Sequence, residues 1–112
     1  MRHFLLLASC LAVACGSDAA VTPSDSTAVT TADVYTPGNV FSPFSTTIKV
    51  GGSVHFNISG DPHNVIFEKV AGAPADVNVV TNVVASRTFT SRGTYPFDCT
   101  VHPGMSGRIV VQ

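Results

Sequence analysis

The chain has 112 residues, a length suited to one domain, and only 12% of them are charged, for a formal net charge of −1. It contains no basic run or patch, which argues against a nucleic-acid partner. The weak charge also marks out no docking patch for a charged protein.

Residues 1–15, "MRHFLLLASCLAVAC", begin with a short basic start and continue as an apolar run from Phe4 to Ala14. That run is too short to span a bilayer as a helix and has the layout of a secretory signal. Its end, "LAVAC" followed by "GSD", resembles a bacterial lipobox and makes Cys15 the expected lipidated residue. "LASC", ending at Cys10, is a closer local match but leaves an apolar core of only about six residues, below the usual h-region. Cleavage without a lipid is the third option. Residues 16–33, rich in Ser, Thr, Ala and Asp, have no hydrophobic stripe and are expected to be a flexible tether.

The folded domain is expected over residues 34–112. "TTIKV" reads as a strand and "GG" as a turn. In "SVHFNIS", Val54, Phe56 and Ile58 alternate with His55, Asn57 and Ser59, the period of a half-buried strand. "HNVIFEKV" is another short strand and "AGAPADVN" a loop. "VVTNVV" and "SRTFTS" are two more expected strands. "TYPFDC" and "SGRIVVQ" close the chain as strands. No segment carries a helical stripe. Short strands separated by Gly, Pro and Asp turns predict an all-β fold, a small Greek-key β-sandwich.

Chemistry concentrates in "CTVHPGM". Alternation places Tyr95, Phe97 and Cys99 on one face of their strand, so the Cys99 sulfur points toward the core at the strand's end. Pro103-Gly104 is a strong turn signal, which brings Met105 back toward His102. Two of the three cysteines lie in the leader, so Cys99 has no disulfide partner within the domain. An unpaired thiol in an exported protein needs a reason, and metal ligation is one. His63 in "DPHNV" starts a strand directly after a turn and is the best fourth ligand. Two imidazoles, a thiolate and a thioether form the donor set of a blue-copper centre. His55, on the polar face of its strand, reads as an ordinary solvated histidine.

"DPHNVIFE" and "GTYPFDCTVHPGMSGRIVVQ" resemble the cupredoxins of the plastocyanin/azurin family, and "FSPFSTTIKVGGSVHF" is similar to the first half of such domains. The Cys-x2-His-x2-Met spacing looks most like that of the amicyanins. Phe56 stands where bacterial relatives often have Trp, a change expected to alter packing and not copper binding. The resemblance implies one copper ion held by His63 and His102 through Nδ1, by the Cys99 thiolate and by the Met105 thioether. It implies that Asn64 ties its loop to the Cys loop at Thr100, and that Pro103 stiffens that loop. His102 becomes the edge through which electrons pass.

The expected function is that of a type 1 (blue) copper protein. It acts as a membrane-tethered electron carrier that cycles between Cu(II) and Cu(I) without turning over a substrate. The domain is monomeric, exported and lipid-anchored at the bacterial cell envelope, and its partners are other redox proteins. Copper storage or delivery is the alternative, which the absence of a Met-rich surface disfavours. A thiol enzyme, with Cys99 as nucleophile and His102 as base, is disfavoured by the inward-facing sulfur. Zinc could take Cys and two His but has no use for Met105.

Overall fold

The computed structural model describes residues 28–112; Cys15, the rest of the leader and residues 16–27 of the expected tether lie outside the described residues. Seven strands follow in chain order: β1 (Val29–Tyr35), β2 (Ser45–Ile58), β3 (His63–Phe67), β4 (Val77–Val80), β5 (Val83–Thr88), β6 (Gly93–Asp98) and β7 (Ser106–Val111). Among the described residues there is no helix. The hydrogen-bonded order is β1-β2-β7-β6-β3-β4, with β5 also on β2.

One strand turns this curled sheet into a sandwich. The first half of β2, Ser45–Ile48, runs parallel to β7, while its second half, Ser53–Ile58, pairs with β5 and β1. Between them the chain reverses at Val50–Gly51, where Gly51 adopts φ +82°. Only glycine takes this backbone region without strain. A Cβ on Gly52 would lie 2.6 Å from the Thr30 carbonyl oxygen, so a side chain is excluded there too. One layer therefore holds β1, the second half of β2 and β5. The other holds the first half of β2 with β7, β6, β3 and β4.

The alternation expected for β2 holds: Val54, Phe56 and Ile58 are buried and His55 and Asn57 are half-buried. They meet Phe67, Phe97, Ile109 and Val111 from the facing layer. The phenylalanines pack edge to face, with ring centroids 5.3 Å apart for Phe56–Phe97 and 4.8 Å for Phe41–Phe97. Each buried ring contributes about 1.5–3 kcal/mol by leaving water, and a well-oriented pair adds about 0.5–1.5 kcal/mol. Tyr95 is buried as well, and its hydroxyl donates to the Ser91 carbonyl at 2.7 Å.

Two expectations are corrected. The fold begins before residue 34, because Val29–Asp33, assigned to the tether, form most of β1. β1 is an edge strand whose side chains are nearly all exposed, so it carries no apolar alternation for a sequence pattern to show. Likewise, "VVTNVV" is not one strand. It breaks at Thr81-Asn82, where Asn82 takes φ +53°, and the chain passes from β4 in one layer to β5 in the other. "SRT" completes β5 and "FTS" falls outside it.

Gly107 in β7 is the tightest contact near the functional end: a Cβ there would lie 2.6 Å from Cζ of Phe97. Gly107→Ala is expected to displace that ring and to cost about 1–3 kcal/mol. Urea denaturation of the metal-free protein measures this.

Candidate metal centre

β6 ends at Asp98 and β7 starts at Ser106, and the loop between them holds Cys99, His102 and Met105. Two backbone hydrogen bonds close it: Cys99 N–H donates to the Met105 carbonyl at 2.8 Å, and Met105 N–H to the His102 carbonyl at 3.1 Å. Gly104, at φ +84°, makes this tight return possible. Strand alternation buries Cys99 behind Phe97 as expected, and Met105 is buried beside it. His102 is half-buried on the outside of the loop, and Pro103 is exposed.

His63 is delivered from the strand next to β6 in the same layer. It is the first residue of β3 and has no exposed surface. The turn before it is held by two threonines. Thr36 Oγ1 donates to the Ser59 carbonyl at 3.2 Å and accepts from Ser59 N–H at 3.1 Å. Thr81 Oγ1 donates to the Gly60 carbonyl at 2.6 Å. These positioning residues have no sequence signature; both are ordinary threonines far from "DPHNV" in the chain.

The donors converge. His63 Nδ1 and His102 Nδ1 are 3.1 Å apart, and Cys99 Sγ lies 3.8 Å from the first and 3.6 Å from the second. Bonds of about 2.0–2.3 Å from nitrogen and sulfur to one shared ion would give donor separations of this size. Among the described residues, His63, Cys99 and His102 form the one cluster of His, Cys or acidic side chains suited to a metal. With Met105 buried on the same loop, the donor set fits copper: soft sulfur, borderline imidazole and no carboxylate.

Asn64 and Thr100 meet as expected. Asn64 Nδ2 donates to Thr100 Oγ1 at 2.7 Å, and Thr100 N–H donates to Asn64 Oδ1 at 2.8 Å. This reciprocal pair joins the residue after His63 to the residue after Cys99. It fixes the separation of the two halves of the site. His55, by contrast, lies away from the cluster and faces Asp33, 3.5 Å from its carboxylate.

Burial holds the His63 imidazole below its ordinary pKa, and the neighbouring His102 pushes it the same way, while Asp61 opposes both. The ring is therefore neutral at neutral pH, the form that can bind a metal. Its Nε2 is buried without a hydrogen-bond partner among the described groups, a cost of about 1–3 kcal/mol that the fold absorbs.

The family model for copper binding proteins of the plastocyanin/azurin family matches residues 28–112. The chain belongs to this family. Copper is accordingly its cofactor, one ion per chain, and its fold is the cupredoxin β-sandwich. Amicyanin-alpha of Methylorubrum extorquens is 39% identical over 69 residues, covering 58% of this chain and 58% of that protein. Plastocyanin A/B of Petroselinum crispum is 36% identical over 87 residues, covering 66% of this chain and 89% of its own length. The match to the amicyanins thus spans little more than half of their length, 58% and 53% for two of them. Among solved structures, a reduced Cu(I) form of an amicyanin variant superposes with a TM-score of 0.65 at 31% identity. It covers 76% of this chain and 82% of that one.

Two outcomes follow for this cupredoxin. Asn64→Ala removes both loop-to-loop bonds, each contributing about 0.5–1.5 kcal/mol, and is expected to cost about 1–3 kcal/mol in denaturant unfolding. His63 has a folded-state pKa below its unfolded value of about 6.5. The unfolded metal-free chain therefore takes up the proton first as pH falls. The stability linked to His63 is complete above that value and is lost between it and the lower folded-state value. Thermal unfolding of the metal-free protein across this range reads the effect.

Proposed function

We propose that this protein is a type 1, blue copper electron carrier, exported and held at the bacterial cell envelope by a lipid on Cys15. The observation that carries the reading is the convergence of His63 Nδ1, His102 Nδ1 and Cys99 Sγ, with Met105 buried on the same loop. In this reading the two imidazoles bind through Nδ1, Cys99 as thiolate and Met105 as a weak axial thioether. The bound copper supplies a single Cu(II)/Cu(I) couple.

What the chain contributes is rigidity and access. The Asn64–Thr100 pair and the closed Cys99–Met105 loop hold the donors in one arrangement, so an electron can come or go with little movement of the protein. Burial of His63, Cys99 and Met105 keeps water and exogenous ligands out. His102 alone reaches the surface, and its ring edge is the point where a redox partner protein docks. Exposed Val101 and Pro103 flank it, giving that partner an uncharged contact.

The same burial argues against two other roles. A delivery protein must surrender its ion, and these ligands are enclosed. A nucleophilic thiol must meet a substrate, and Cys99 is only 2% exposed. The leader's lipobox-like "LAVAC" and the plastocyanin and amicyanin relatives support an exported protein.

Adding one equivalent of Cu(II) to the metal-free protein is expected to give an intense absorption band in the red, with a small copper hyperfine splitting in electron paramagnetic resonance. Cys99→Ser abolishes the band; an unchanged band in that variant refutes the assignment. Met105→Leu keeps the colour and raises the reduction potential, and a lowered potential would show that Met105 is not the axial ligand.

A further inference from the structure

The two ends of the sandwich differ in charge. β3 and β7 start at the copper end and run away from it, and β1, β6 and the second half of β2 run toward it. The opposite end is therefore built from Val29, the Lys49–Gly52 turn, residues 68–76, residues 89–93 and Gln112. Hydrogen bonds tie it together: Val50 N–H to the Gln112 carbonyl at 2.9 Å, and Gly51 N–H to the Phe89 carbonyl at 2.7 Å.

Lys49, Lys69, Arg87 and Arg92 gather at this end, against Glu68 and Asp76. Lys69 is committed to Asp76 at 2.7 Å, and Arg87 to the Ala75 and Asp76 carbonyls. Lys49 and Arg92 are exposed and form no ion pair with any described residue. The copper-proximal half has the reverse balance, with Asp33, Asp61 and Asp98 against Arg108. The distal end also exposes three valines: Val29 at 47%, Val50 at 44% and Val70 at 37%. Lysine and arginine beside exposed apolar side chains are what an anionic bilayer surface binds, the cations to headgroups and the valines to the interface.

The chain path points the same way. Residues before Val29 join the domain at this end. If Cys15 is lipidated, the stretch from 16 to 28 reaches at most about 45 Å when fully extended. The anchor would then leave this end nearest the bilayer and the copper end facing away.

We infer that the end carrying Lys49, Arg92, Val29, Val50 and Val70 rests on anionic lipid headgroups, which orients His102 away from the membrane toward soluble redox partners. The orientation deepens the tethered-carrier reading and rests on it, but the lipid contact is a property of the domain itself. Each unpaired cation near an anionic surface adds about fivefold to partition, and more at low salt.

The test uses the copper-loaded chain from Gly16 onward, which has every described strand and no site for acylation at Cys15. It is sedimented with vesicles of equal parts phosphatidylglycerol and phosphatidylcholine, and with vesicles of phosphatidylcholine alone. Binding is expected only to the anionic vesicles, to fall with added salt, and to drop by at least about tenfold in the Lys49→Glu/Arg92→Glu variant. The red absorption band reports that each variant is folded. Because the chain has no Trp, Val50→Trp gives a clean probe, whose emission should shift to the blue on binding while that of Val101→Trp does not. Equal binding to both vesicle types, no binding, or no effect of the charge reversal overturns the inference with the electron-carrier reading intact. In the no-binding case the basic end would fall to an acidic protein surface instead. Conversely, absence of acylation at Cys15 in cells, read by mass, removes the anchor and leaves the vesicle result standing.

Discussion

The reciprocal hydrogen bonds between Asn64 and Thr100 set the width of the metal centre. His63 opens β3, and Cys99, His102 and Met105 belong to the loop that follows β6. No disulfide joins these segments. A side-chain amide that donates to a hydroxyl and accepts from a backbone N–H, at 2.7 and 2.8 Å, fixes their distance in both directions. Asn64 is buried, so its amide has few alternative partners, and breaking the pair removes two bonds at once. The donor separations of 3.1–3.8 Å depend on that clamp.

Around the clamp the fold spends apolar burial on holding polar groups out of water. A neutral imidazole, a thiol and a thioether sit at one end of a core otherwise made of Phe, Val and Ile. Desolvation depresses proton binding by His63 and so keeps a nitrogen lone pair free. A metal-free site of this kind carries uncompensated polar surface, and a bound ion replaces the lost hydration. The metal is thus part of the stability of the fold as well as its chemistry.

The sandwich also separates tasks along its length. Strand ends on one side carry donors and an uncharged surface at His102. Strand ends on the other carry the chain entry, Lys49 and Arg92, which pair with no described acidic residue, and exposed valines. A β-sandwich allows this because its loops cluster at two ends held apart by a rigid core.

By itself the sequence determined the all-β class, the inward alternation of Val54, Phe56 and Ile58, and the compact Cys99–His102–Met105 loop. These are local properties, set by period-2 patterning and by turn residues a few positions apart. The pairing of Asn64 with Thr100 was legible only through family resemblance, since the two are far apart in the chain. The role of Thr36 and Thr81 in holding the turn before His63 was not legible at all. Nor was β1, whose exposed edge residues lack a pattern, or the break of "VVTNVV" at Asn82, where apolar residues continue but the chain changes layer. Tertiary structure decided these features because each depends on which strands become neighbours. The gathering of Lys49, Lys69, Arg87 and Arg92 at one end belongs with them: strand direction brings these residues together, and their spacing in the chain does not show it.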